Sequence, residues 1–262
     1  MRVGVFGAGG RMGTTVCRAV IEAPDMDLAA VVDPHHAGID LRQLGVPGTG
    51  LQMGAGPDAM AEADVDVCVD FTVLDAARRN LDWCARNGVH AVVGTTGFTT
   101  SELETLSEAF DASSANAVVA PNFAIGAVLM MHFAEIAAPY FETAEVIELH
   151  HDTKVDAPSG TAMLTAERIA QASKDWNDDP TEELVVDGAR GAEGPGGIRV
   201  HSVRLQGLVA HQEVLLGTTG QTLSLRHDTT DRTSFMPGVV LALHAVADRP
   251  GLTVGLDTLL GL

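Results

Sequence analysis

Strands alternating with helices up to Phe123, a glycine turn between the first strand and the first helix, and a change of rhythm after Phe123 together predict an α/β fold in two parts. The first part is expected to be a Rossmann-type doubly wound parallel sheet, and the second an α+β domain with a mixed or antiparallel sheet. The expected domains are residues 1–124, completed by 234–262, and residues 125–233. A chain of 262 residues has room for two cores and for a cleft between them.

The elements follow in order. "MRVGVFGAGGRMGTTVCRAVIEA" opens with an apolar strand, turns through glycines and continues with Met12, Val16, Ala19 and Val20 at helical spacing. "MDLAAVVD" is a β-rich run closing on Asp33, and "DVDVCVDFT" is a buried strand ending near Phe71 and Thr72. "LDAARRNLDWCARNG" is helical and stops at Gly88, and "VHAVVGTTG" is a strand. "SELETLSEAFDASSA" is a helix with Ser101 and Glu104 at capping-box spacing, and "NAVVAPNF" is again a strand. Beyond Phe123 the pattern predicts a long helix from Ala124 to Ala138, the strand "AEVIELHH" and a helix from Thr161 to Ala172. An irregular acidic, glycine-rich stretch then runs from Asp175 to Gly197, as a solvated loop or a mobile flap. The runs "IRVHSVRLQG", "AHQEVLLGT" and "QTLSLRHDT" are consecutive strands. The tail "SFMPGVVLALHAVADRPGLTVG" reads as a helix and a closing strand that return to the first domain.

Composition excludes some classes of partner. With 35 Asp plus Glu against 16 Lys plus Arg, a formal charge of -19 opposes nucleic acid and anionic lipid. Cys17, Cys68 and Cys84 are an odd number without C-x-x-C spacing, and the N-terminus does not resemble a signal peptide, so a reducing cytoplasm is expected. The most apolar segment, Phe123 to Ala134, is too short to span a bilayer. There is no H-x-x-x-H pair or Cys/His cluster, and no metal is expected.

In "VFGAGGRMG", Gly7, Ala8, Gly9, Gly10, Arg11 and Met12 form a variant of the dinucleotide fingerprint, with Met12 where the usual third glycine would stand and Gly13 beyond it. Glycine lets the backbone approach a pyrophosphate, and the following helix start supplies oriented N–H groups for its charge. Asp33, at the end of the second strand, accepts from a ribose diol and disfavours a 2′-phosphate. Arg11 is placed to steady either the pyrophosphate or a 2′-phosphate. Pro34, His35 and His36 add no permanent cation, so NADH and NADPH both remain open. Gly94, Thr95 and Thr96 of "GTTG" and Ala120, Pro121, Asn122 and Phe123 of "APNF" sit just past strands, where ligands of doubly wound sheets lie. Each is equally consistent with an ordinary turn.

The segment "ELHHDTKVDAPSGT" gathers proton-exchanging and anion-binding groups. His150 and His151 would face opposite ways on a strand, one for chemistry and one for bracing or substrate. Lys154 and Lys174 are the only lysines, so a lysine here suits a substrate carboxylate or proton delivery better than general surface charge. Asp156 or Ser159 is the expected N-cap of the next helix, with Gly160 and Thr161 in its opening turn, a place suited to a carboxylate.

Through "ELHHDTKVDAPSGTA", "FGAGGRMG", "VVGTTGF" and "APNFAIGA", the chain closely resembles the dihydrodipicolinate (4-hydroxy-tetrahydrodipicolinate) reductases, lysine-pathway enzymes of bacteria and plants. The resemblance covers nearly the whole chain, and its HH-x-x-K-x-DAPSGT signature is specific. It implies a Rossmann domain completed by the tail, a mixed-sheet substrate domain and a homotetramer built through that sheet. By motif it implies His150 as catalytic acid/base and Lys154 as proton donor, with His151, Ser159, Gly160 and Thr161 at the substrate. Gly7 to Met12, Asp33, Gly94 to Thr96 and Ala120 to Phe123 would hold NADH or NADPH. Asp152-Thr153 departs from the basic pair or Pro-His of many members, and an acid there weakens anion attraction.

The implied reaction removes the 4-hydroxyl of 4-hydroxy-tetrahydrodipicolinate as water, delivers hydride to C4 and protonates the resulting enamine. Hinges are expected near Phe123 and Thr233. Two other readings use the same cofactor loop: a dehydrogenase of another small amino or keto acid, and an NAD(H)-sensing module without turnover. The segment from His150 to Thr161 discriminates, because a sensor has no use for it.

Overall fold

The computed structural model describes residues 1–262. The elements begin with β1 (Arg2–Phe6), α1 (Arg11–Glu22), β2 (Asp27–Val32), α2 (Asp58–Glu62), β3 (Val67–Asp70), α3 (Leu74–Asn87), β4 (His90–Val93), α4 (Thr100–Asp111) and β5 (Ala117–Val119). They continue with α5 (Ile125–Ala137), β6 (Thr143–His150), α6 (Gly160–Ala172), β7 (Ala192–Glu193), β8 (Arg199–Arg204), β9 (Ala210–Thr218) and β10 (Gln221–Thr229). Last come α7 (Met236–Ala245), β11 (Leu252–Val254) and α8 (Asp257–Leu260). The chain divides into two compact units, Met1–Phe123 with Phe235–Leu262, and Ala124–Ser234.

In the first unit six strands lie in the order β2-β1-β3-β4-β5-β11, and every neighbouring pair is parallel. Strands of such a sheet are covered on both faces and read as continuous apolar runs, as in the fully buried Val-Cys-Val-Asp of β3. β1 lies between β2 and β3, so the strand order reverses there and opens a crevice past the carboxyl ends of both. Helix α3 ends where Gly88 takes a left-handed conformation. The capping box of α4 is formed by Thr99 and Glu102, two residues before the expected Ser101 and Glu104. Thr99 has the extended backbone a cap needs, its hydroxyl accepts from the Glu102 N–H, and the Glu102 carboxylate accepts from the Thr99 N–H at 2.7 Å. Ser101 is already inside the helix.

The stretch between β2 and β3 contains the short helix α2, which has too few residues to show a periodicity. Its Met60 is fully buried, and a Cβ on Gly4 would lie 2.4 Å from the Met60 sulfur, which explains a glycine in mid-strand. The tail brings β11 alongside β5. Asn116 secures it by donating to the carbonyls of Val246 and Ala247 and accepting from the Gly251 N–H.

The second unit is a mixed sheet in the order β10-β9-β6-β8-β7, antiparallel except for the parallel pair β6/β8. One face is covered by α5 and α6, whose Ala134, Ala162, Ala166 and Ile169 pack on Val146, Val200, Val214 and Leu216. The alternation of buried and partly exposed residues along β9 is that of a sheet covered on one side. On the opposite face Glu145 accepts from Arg190 and His201 at 2.7 and 2.6 Å. The stretch from Asp175 to Gly197 is tied down, because Asp179 pairs with both Arg190 and Arg199 and the segment contributes β7. No helix is long and apolar enough to cross a membrane.

Gly238, in the first turn of α7, shows how closely the tail is fitted: a Cβ there would lie 2.1 Å from the carbonyl oxygen of Phe123. Alanine ordinarily gains about 1 kcal/mol over glycine in a helix. Here the obstacle is backbone, so Gly238→Ala is expected to destabilise by about 1–3 kcal/mol instead. The urea unfolding midpoint measures it, and a higher midpoint would contradict this packing.

Candidate active site

The predicted nucleotide residues of the first unit gather past the carboxyl ends of β1, β2, β4 and β5. Gly7 has φ 72°, and its N–H and that of Ala8 donate to the Val32 carbonyl, folding the turn onto the end of β2. A Cβ on Gly13 would lie 2.0 Å from the Gly7 carbonyl oxygen, so glycine is required for α1 to start so close to the turn. Gly10 is the N-cap and no side chain caps the helix; Arg11 is exposed and Met12 half-buried in its first turn. Asp33 is buried, its Oδ1 accepting from the His35 N–H at 3.0 Å and its Oδ2 from the Gly9 N–H at 3.1 Å.

The residues after β4 and β5 divide into structural and outward-facing groups. Gly94 presses on the Phe71 ring, where a Cβ would lie 2.0 Å away. The Thr95 hydroxyl lies 3.0 Å from the Thr72 carbonyl and 3.2 Å from Asp70 Oδ1, binding the ends of β3 and β4 together. Asp70 also accepts from Thr72 and Asn80 and is 2% exposed. An acid closing a buried strand was visible in the sequence, but its partners were not. Thr96 and Pro121 are exposed, Asn122 is half-buried, and Ala120 and Phe123 are buried, with Phe123 tilted against Phe71 at 5.8 Å between ring centroids. An uncapped, glycine-lined helix start beside a pinned carboxylate fits a dinucleotide: the N–H groups would take a pyrophosphate, and the acid a ribose diol.

The predicted chemical residues of the second unit lie at the end of β6 and in the loop to α6. His150 is the last residue of β6, paired with Arg204 of β8 and Ala210 of β9. His151 falls just outside the strand, its Nδ1 2.8 Å from the Thr153 hydroxyl, so strand alternation does not set its direction. Lys154 Nζ donates to both oxygens of Asp156 at 2.7 and 2.8 Å, holding that carboxyl below the usual range. Ser159, not Asp156, is the N-cap of α6: it is buried, and its hydroxyl accepts from the Ala162 N–H at 3.2 Å. Gly160 and Thr161 form the opening turn, and a Cβ on Gly160 would meet nothing within 4 Å.

The organising group was not singled out in the sequence. Glu148, two residues before His150 on the same face of β6, has no exposed surface. Its oxygens accept from Arg204 at 2.8 and 2.9 Å and from the Ser159 N–H at 3.2 Å, while His150 Nδ1 lies 2.5 Å from Oε2. Arg204 also donates to the Asp156 carbonyl, tying down the loop. Burial works to raise the Glu148 carboxyl, but hydrogen bonds from Arg204, Ser202 and His150 outweigh it and hold the group below its ordinary value. An ionised Glu148 can only accept, so Nδ1 of His150 carries the proton and Nε2 is left as the reactive nitrogen. Burial lowers the His150 value, Glu148 partly restores it, and the charges of Lys154 and Arg204 lower it again. The only sequence signal for this pair was an acid two residues before a histidine on the same strand, at the spacing that shares a face.

Dinucleotide-dependent oxidoreductases combine such a parallel sheet with a separate unit carrying acid–base groups, and this is the class that fold and site define. The family profile "Dihydrodipicolinate reductase, N-terminus" matches residues 1–123, and "Dihydrodipicolinate reductase, C-terminus" matches residues 126–260. The chain is 50% identical, over the full length of both, to a 4-hydroxy-tetrahydrodipicolinate reductase of Mycolicibacterium vanbaalenii. It is 48% identical to the enzyme of that name from Corynebacterium urealyticum, covering 100% of this chain and 99% of the other. A dipicolinate-bound dihydrodipicolinate reductase from a Paenisporosarcina species superposes with a TM-score of 0.84 at 40% identity, covering 98% of each chain. The chain belongs to the dihydrodipicolinate reductase family.

Replacing Glu148 tests the arrangement. Glu148→Gln leaves Arg204 without its counter-charge, and breaking a buried pair on one side costs about 3–5 kcal/mol. Arg204 keeps a fifth of its side chain in solvent, so a loss near about 3 kcal/mol is expected by urea unfolding. The substitution also removes the one influence that raises the His150 value, so any pH limb of the rate belonging to His150 shifts to lower pH. An unmoved limb would separate Glu148 from His150.

Proposed function

We propose that this oxidoreductase reduces 4-hydroxy-2,3,4,5-tetrahydrodipicolinate, with loss of water, to tetrahydrodipicolinate in diaminopimelate and lysine biosynthesis, and that the groups around Glu148 handle the proton. The observation that carries the reading is an imidazole held in one tautomer by a buried carboxylate, four residues from a lysine that donates to both oxygens of Asp156. A bound NADH or NADPH supplies the hydride. Gly7, Ala8, Gly9, Gly10, Arg11 and Met12 hold the pyrophosphate, Asp33 the ribose, and Gly94 to Thr96 with Ala120 to Phe123 the nicotinamide end.

The substrate is a small dicarboxylate in a chain of net charge -19, so local donors must outweigh the overall field. His151 and the opening turn of α6 at Gly160 and Thr161 supply them, with Ser159 fixing that turn. Arg204 is committed to the buried Glu148, whereas Lys154 pairs with the exposed Asp156, a partner that a substrate carboxylate can replace. Once C4 is reduced, the developing enamine needs a proton. Lys154 enters charged and gives one up, and His150 exchanges protons through Nε2 while Nδ1 stays with Glu148. Asp152, two residues before Lys154 in sequence, is exposed, and an acid there weakens anion attraction.

The loop from His150 to Thr161 sets this reading above a nucleotide sensor, which needs only the first unit. The reading also includes a homotetramer formed through the open face of the mixed sheet, residues 125–233 as substrate and oligomer domain, and a cytoplasmic location.

The test generates substrate from pyruvate and aspartate semialdehyde with the preceding synthase and follows NADH or NADPH absorbance. His150→Gln is expected to lower kcat by roughly 10²–10⁴-fold, the usual worth of a positioned acid–base group. Lys154→Ala should lower kcat and also weaken dipicolinate as a competitive inhibitor. Binding of both nucleotides with no consumption of either would overturn the reading.

A further inference from the structure

One imidazole beside the proposed nucleotide site has no part in the reaction. His36 ends the 3-10 turn Pro34–His36 that follows Asp33. Its Nδ1 is buried without a hydrogen-bond partner and lies 3.3 Å from Asp33 Oδ2, out of line for a hydrogen bond, while about a third of the side chain (35%) faces solvent. The ring fills the space over the glycine turn: a Cβ on Gly9 would lie 2.3 Å from His36 Nδ1 and 2.7 Å from Asp33 Oδ2. Gly9, Asp33 and His36 are therefore one cluster, and the missing side chain at position 9 is what admits the ring.

Asp33 is held by the His35 and Gly9 N–H groups, so its charge cannot turn away from a nucleotide. Few other charges are near. The turn Gly7 to Gly10 has none, and Arg11 opens α1 beyond it. The segment from Gln52 to Gly56, which hydrogen-bonds Asp33 and Gly38 through its backbone, has none either. On the side of His36 itself, His35 is exposed, and Asp40 is closed in a bidentate pair with Arg42. Asp33 is the one anion against His36, and His36 is the one titratable group against Asp33.

We propose that His36 decides between the two nucleotides by its charge. As an imidazolium it pairs with Asp33, cancels the charge that repels a 2′-phosphate, and donates its exposed N–H to that phosphate. As a neutral ring it leaves Asp33 to accept from the ribose hydroxyls of NADH. The site then takes both nucleotides, and the share of NADPH grows as pH falls through the range in which histidine changes charge. This inference rests on the nucleotide site proposed above.

Isothermal titration calorimetry on the full chain at low salt, with NADH and NADPH at pH 6.5 and pH 8.5, reads it without turnover. The Kd for NADPH is expected to rise roughly tenfold from the lower to the higher pH, the size of one charge-assisted hydrogen bond, while that for NADH does not rise. His36→Gln should bind NADPH weakly at both pH values, and His36→Arg tightly at both. Gly9→Ala forces the ring aside and should flatten the NADPH profile by an independent route. Equal pH slopes for the two nucleotides, or a wild-type NADPH slope in His36→Gln, would overturn the proposal while leaving the site intact. Failure of either nucleotide to bind at any pH would overturn the site as well, and the NADH titration distinguishes the cases.

Discussion

A carboxylate with no exposed surface, Glu148, sits on a strand whose other inward residues include Val146, and the second unit is arranged around keeping it charged. Removing an ion from water costs several kcal/mol even after relaxation, so a stable buried carboxylate needs a full set of donors. Arg204 brings two from β8, Ser159 brings a backbone N–H from the start of α6, and His150 brings Nδ1–H from the end of β6. The parallel register of β6 on β8 places Glu148 and Arg204 within reach, and a further hydrogen bond of Arg204, to the Asp156 carbonyl, draws in the loop. One charge thus fixes an imidazole tautomer, a helix start and the loop bearing the lysine.

The first unit solves a different problem, exposing backbone donors at a sheet edge without unravelling it. Side chains that look like ligand groups are used as fasteners. The Thr95 hydroxyl is spent on Thr72 and Asp70, Gly94 makes room for Phe71, and Gly13 lets α1 close on Gly7. What remains for an anion is the helix start itself, where the absence of a capping side chain leaves the N–H groups to a ligand.

Both anionic ligands of the proposed reaction meet a chain whose overall charge is strongly negative. Screening over ~8 Å at physiological salt removes most of that distant repulsion, whereas donors in contact act unscreened. A single lysine and two helix starts can therefore suffice, and the arginines are free to serve ion pairs on the sheet faces.

Features set by neighbours along the chain were legible in the sequence. These are the alternation of strands and helices, the glycine turn with Asp33, the Gly88 stop, the limits of α6 and the cluster from His150 to Thr161. Such signals depend on residues within about four positions, because helix bonding and strand pleating repeat on that scale. Even locally, two acceptable capping boxes two residues apart were separated only by which threonine or serine has an extended backbone. What joined residues far apart needed the tertiary structure. Glu148 and Arg204 are 56 positions apart, Gly4 accommodates Met60, and His36 fills the space over Gly9, and no local pattern encodes those encounters. By itself the sequence determined the fold class, the family and which residue types stand ready for chemistry. Only the tertiary structure decided which proton of His150 is held and how Glu148 is neutralised, because both depend on where parallel register brings a distant arginine.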